Sequence, residues 1–97
     1  MRVLIVDDEP GIRKTTRIAV ETGGHAAAEA SNGLRALKAL DEENFDAVFL
    51  DLKLGTDDGL EVLAKLLKAQ PALAVVMFTA YANIATAVEA MRRGAFD

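Results

Sequence analysis

The chain has 97 residues, 52% of them hydrophobic and 27% charged, with 7 glycines and 2 prolines. That is the make-up of one small globular domain and excludes disordered and collagen-like chains. Eleven basic residues against fifteen acidic ones give a net charge of -4, which argues against nucleic acid as this segment's own partner. With no cysteine there is no disulfide framework, thiolate metal site or thiol nucleophile.

No apolar run approaches the roughly 20 residues that span a bilayer. The run after Met1 meets Asp7-Asp8 too soon for a signal peptide, so a cytoplasmic segment is expected. Arg2–Val6 is a β-branched and leucine run, as expected of a strand covered on both faces. Pro10 suits a first helical position. The spacing predicts a helix from there to Thr22, with Ile12, Ile18, Ala19 and Val20 as its apolar side, stopped by Gly23-Gly24. A second strand is expected over His25–Ala30, from its position more than its propensity, because alanine is a poor strand former. His25 reads as a turn or strand-edge residue.

Ser31-Asn32-Gly33 is a turn and cap signal, and Leu34, Leu37 and Leu40 then repeat at helical spacing to about Glu43. Asp46–Leu50 reads as a third buried strand, ending at Asp51. Leu52–Asp58 reads as a loop. From Gly59 a helix presents Leu60, Leu63, Leu66 and Leu67 on one face, and Pro71 marks its end. Ala74–Phe78 is the fourth strand. A fourth helix is expected from near Asn83 to Gly94, carrying Ile84, Val88 and Met91 inward. This alternation is the sign of a parallel α/β sheet, one βαβαβαβα unit.

Asp7 and Asp8 follow the first strand, Asp51 ends the third, and Thr79 follows the fourth. Parallel strands share a direction, so these residues gather at one edge, where open α/β sheets bind ligands. Acids brought together there repel and raise one another's pKa values. A hard divalent cation resolves the conflict, and Mg²⁺ prefers carboxylates, a backbone carbonyl and water. Each acid alone reads more readily as a helix cap or a solvated charge than as a metal ligand; the joint pattern favours a site.

These residues carry a resemblance. Val3-Leu4-Ile5-Val6-Asp7-Asp8-Glu9-Pro10, Asp46-Ala47-Val48-Phe49-Leu50-Asp51-Leu52, Gly59, Phe78-Thr79-Ala80 and Gly94-Ala95-Phe96-Asp97 resemble the receiver domain of two-component response regulators, over the whole chain. Tyr81–Asp97 is similar to receivers of the nitrogen-regulation class, which control a sigma-54-dependent ATPase. The resemblance implies a flavodoxin-like three-layer α/β sandwich with strand order 2-1-3-4. It also implies that Asp51 accepts a phosphoryl group from the phosphohistidine of a sensor histidine kinase. Asp8, Asp51 and the backbone carbonyl of Lys53 would hold Mg²⁺, with Asp7 acting through water. The Thr79 hydroxyl would act as the switch, and the Ala80 N–H would donate to the phosphoryl oxygens. Such domains catalyse their own phosphorylation and dephosphorylation while serving as regulators, here of transcription through output domains elsewhere.

Two departures stand out. Leu54-Gly55 replaces the family's Met-Pro, which frees the loop after Asp51. The family's fifth strand with its lysine, and its fifth helix, would come after Asp97, so residues 1–97 read as a receiver domain truncated at its C-terminal side. A chain without that lysine is expected to bind Mg²⁺ better than it retains phosphate. Lys53 as a side chain bordering the phosphoryl group is weighed against a solvated lysine whose carbonyl alone matters. The alternative function is an association module that dimerises through the edge of the fourth strand, or through the fourth helix, without phosphotransfer. A phosphohydrolase would need a second acid two residues past Asp51, where Lys53 stands.

Overall fold

The computed structural model describes residues 1–51, 53–54 and 57–78. Nine elements follow in order: β1 (Arg2–Val6), α1 (Pro10–Thr22), β2 (Ala26–Ala30), α2 (Gly33–Glu42), β3 (Ala47–Asp51), β4 (Lys53–Leu54), β5 (Asp57–Asp58), α3 (Gly59–Ala69) and β6 (Ala74–Phe78). Four strands form a parallel sheet in the order β2-β1-β3-β6. The expected order is therefore present, with β6 as the fourth strand of the sheet. Thr79, Ala80 and the helix expected from Asn83 lie outside the described residues.

β1 is central because its sequence tolerates burial on both faces: Leu4, Ile5 and Val6 have no exposed surface and Val3 only 2%. It pairs with β2 from Arg2↔Ala26 to Val6↔Ala30 and with β3 from Val3↔Ala47 to Val6↔Leu50. The alanines of β2 form a strand because β1 offers five residues of ladder in register. Context overrides propensity here.

Alternation along the strands sends side chains to two layers. Leu4, Val6, Val48, Leu50 and Val75 meet Ala36 and Leu40 of α2 and Val62, Leu63 and Leu66 of α3 in the larger core. Val3, Ile5 and Ala47 meet Val20 of α1 in the smaller one.

Each helix starts on a side-chain cap. Glu9 accepts from the Gly11 N–H at 2.9 Å, with Pro10 in the first turn, while Asn32 accepts from Arg35 at 2.8 Å and Asp58 from Leu60 at 2.9 Å. Gly24 ends α1 at φ 91°, a left-handed conformation that glycine adopts without strain.

Three expectations are corrected. Ile12, Ile18 and Ala19 are exposed, so they do not form the packed side of α1. That side is Arg13, Thr16, Arg17 and Val20, at the 0, 3, 4, 7 spacing of one helical face. Leu34 is likewise exposed. Gly33, Ala36 and Leu40 make the inner line of α2. Residues 53–58, expected as loop, include the two-residue antiparallel pair β4-β5, with Lys53 opposite Asp58 and Leu54 opposite Asp57.

Candidate metal and phosphoacceptor site

The acids arrive at one place because β1 and β3 are adjacent and parallel. Asp7 is the first residue after β1, and its N–H donates to the Ala30 carbonyl at 3.2 Å, extending the ladder by one residue. Asp8 follows and is exposed, while Asp51 closes β3 and is half-buried. One carboxylate oxygen from each of Asp7, Asp8 and Asp51 lies within 4.8 Å of the other two. The sequence predicted this trio, and the fold assembles it.

Asp7 is the buried member. It has no exposed surface, its Oδ1 accepts from the Glu9 N–H at 2.9 Å, and its Oδ2 is buried with no hydrogen-bond partner. Burial pushes its pKa up. The Glu9 N–H opposes that, the charges of Asp51 and Asp8 add to it, and the Arg13 guanidinium pulls it back. An orphaned carboxylate oxygen beside two further carboxylates is an arrangement that a divalent cation satisfies. The donor set, all oxygen and no nitrogen or sulfur, fits Mg²⁺ or Ca²⁺ rather than zinc. Lys53, expected to lend its carbonyl, stands in β4, two residues beyond Asp51.

The expected site residues did not include the ionic layer beneath this pocket. Glu29, in the middle of β2, takes Arg13 Nε on one oxygen and Arg17 on the other, each at 2.9 Å. Arg17 also pairs with Glu21 at 3.3 Å. The two arginines hold the Glu29 carboxylate below its usual pKa range. Arg13 then donates a second bond, from its terminal nitrogen to the Asp7 backbone carbonyl at 2.8 Å. Arginines four residues apart, ahead of a lone acid in an alanine strand, were the available signal.

Comparison with known proteins agrees with this geometry. Residues 3–97 match the response regulator receiver domain model. The chain is 45% identical over 96 residues to the alginate biosynthesis transcriptional regulatory protein AlgB of Pseudomonas aeruginosa, covering 99% of this chain and 21% of that protein. It is 34% identical over 95 residues to the transcriptional regulatory protein GlrR of Escherichia coli, covering 98% of this chain and again 21% of the relative. Among solved structures, the receiver domain of NtrX from Brucella abortus superposes with a TM-score of 0.92 at 40% identity, covering 98% of this chain and 81% of that one. A Burkholderia pseudomallei response regulator with a phosphorylated aspartic acid, calcium ion and citrate gives 0.92 at 38% identity, covering 97% of this chain and 55% of that one. The chain belongs to the response regulator receiver domain family. It spans about a fifth of the length of these curated relatives.

Proposed function

We propose that this chain is a phosphorylation-controlled switch in which Asp51 accepts a phosphoryl group from the phosphohistidine of a sensor histidine kinase. The observation that carries the reading is the Asp7, Asp8 and Asp51 trio at the ends of two central strands, within 4.8 Å. In the transfer, an Asp51 carboxylate oxygen forms a bond to phosphorus as the bond from phosphorus to the kinase imidazole breaks. The released imidazole nitrogen takes a proton.

This chain's part is to position and to neutralise, which is most of what phosphoryl transfer asks of a protein. β3, held in register between β1 and β6, fixes the Asp51 backbone. Asp8 and Asp51, with the Lys53 carbonyl, would hold Mg²⁺ directly, and Asp7 would hold it through water. When bound, the ion supplies positive charge that offsets repulsion between the Asp51 carboxylate and the incoming anion. Thr79 is assigned the switch hydroxyl and Ala80 a backbone donor. Both follow Phe78, the register partner of Asp51, in sequence.

The relatives named as transcriptional regulators support an output in transcription, carried by domains beyond this segment. The likeness to NtrX supports the nitrogen-regulation, sigma-54-dependent class. No helix among the described residues is long and apolar enough to cross a membrane, and a cytoplasmic location is part of the proposal.

Incubation of the protein carried past Asp97 with acetyl phosphate and Mg²⁺, followed by intact-mass analysis, tests the reading. A single phosphate adduct that is absent without Mg²⁺ and absent in Asp51→Asn is the expected result. An adduct that survives Asp51→Asn overturns the assignment. The competing association module predicts no adduct and a mass that grows with concentration by light scattering.

A further inference from the structure

We infer that Arg13 is a positioning residue for the acidic site, and that Glu29 is the anchor that aims it. The inference rests on the metal-binding reading above and adds to it two residues from outside the acidic trio.

Arg13 Nε is fixed on Glu29 Oε1 at 2.9 Å, and its terminal nitrogen reaches the Asp7 carbonyl at 2.8 Å. A guanidinium is planar, so bonding at one edge sets the direction of the other donors. Glu29 belongs to β2 and Asp7 ends β1, so one rigid side chain spans the neighbouring strand, the helix and the turn that carries Asp7 and Asp8. The Arg13 side chain is 18% exposed and that of Glu29 25%, so solvent competes only partly for these bonds.

The bond to the carbonyl matters because of what lies on either side of it. The Asp7 N–H is tied to Ala30 and the Asp7 Oδ1 to the Glu9 N–H. With its carbonyl also held, Asp7 has a fixed backbone on both sides and one fixed carboxylate oxygen. The remaining oxygen, Oδ2, is thereby held in the pocket unpaired. The peptide plane that Arg13 grips is the one linking Asp7 to Asp8, so rotating it would turn the Asp8 carboxylate away from Asp51.

Arg17 is the internal contrast. Its side chain, 43% exposed, bonds the same Glu29 and otherwise turns to Glu21 rather than to an acid of the site. A merely structural ion network would make Arg13 and Arg17 equivalent. A positioning role makes them differ.

The test uses the 97-residue chain with Mg²⁺ as the probe, measuring Mg²⁺ affinity by calorimetry, hydrogen exchange of the Glu9 amide by NMR, and the melting temperature. Arg13→Ala is expected to weaken Mg²⁺ roughly tenfold, the lower end for losing a group that orients a metal ligand, and to speed Glu9 exchange. Glu29→Gln is expected to shift both in the same direction by less. Arg13→Lys should recover part of the affinity, since it keeps the charge but lacks the fork. Arg17→Ala should lower the melting temperature while leaving Mg²⁺ affinity within about twofold, as for an exposed pair.

Equal Mg²⁺ losses in Arg13→Ala and Arg17→Ala, or none in Arg13→Ala, would overturn the inference. Should Arg13→Ala fail to fold, Glu29→Gln and Arg13→Lys decide by the same comparison with Arg17→Ala. Absence of Mg²⁺ binding to the unmodified chain would instead sink the metal-site reading and the inference that rests on it. An unchanged Glu9 exchange rate in Arg13→Ala, with Mg²⁺ binding intact in the unmodified chain, counts against Arg13 alone.

Discussion

Burial pushes both Asp7 and Glu29 up, yet the two carboxylates end on opposite sides of their usual values because only Glu29 has hydrogen bonds from Arg17 and Arg13 to reverse it. Asp7 is raised because desolvation and two like charges outweigh the Glu9 N–H and the Arg13 cation. A raised folded value means the folded state holds its proton more tightly than the unfolded chain, so stability is lost as pH climbs through Asp7's titration. Asp7→Asn should therefore raise metal-free stability at neutral pH by on the order of 1 kcal/mol, seen as a higher denaturant midpoint. Glu29 has the opposite sign. Its folded value lies below 4.5, so its contribution is complete above about pH 4.5 and disappears as pH falls through the lowered value. Urea melts across pH 7 to acid should show Glu29→Gln costing less than about 1 kcal/mol at pH 7, given its partial exposure, and progressively less as pH falls below 4.5.

At the scale of elements, packing decides which apolar residues matter. Leu63 has no exposed surface and lies in the larger core, whereas Ile18 is 54% exposed. Leu63→Ala should cost about 2 to 5 kcal/mol by chemical denaturation and Ile18→Ala under about 1 kcal/mol. This contrast also shows where the sequence was legible. β1, β3, α3 and β6 carry continuous or periodic apolar runs that match a buried partner, and their places follow from that. The acids at the ends of β1 and β3 were legible for the same reason, since strand direction alone brings them together. α1 was misread because its inward line is built from arginine stems over an alanine strand, which no apolar periodicity reports. In α2, leucine spacing pointed to Leu34, while the small residues Gly33 and Ala36 took the inner line. The β4-β5 pair has only two rungs, too few to leave a pattern.

For the molecule as a whole, the trio's affinity for a cation is linked to folding. A cation held only when β1 and β3 are side by side stabilises the folded chain by mass action, about 2.7 kcal/mol at a concentration one hundred times its dissociation constant. Thermal melts with Mg²⁺ should therefore shift upward with concentration, while NaCl at matched ionic strength does not reproduce the rise. The shift should shrink strongly in Asp51→Asn, which leaves the hydrophobic layers untouched.

β2 lies at the outside of the four-stranded sheet and reads Ala-Ala-Ala-Glu-Ala. Uncharged, such a strand would be a flat, featureless template on which a second chain could add itself by backbone bonding alone. A charge within an edge strand discourages that addition. Glu29 therefore guards the chain's solubility. Replacing it with valine would leave Arg13 and Arg17 without their shared partner while inviting the sheets of neighbouring molecules to join.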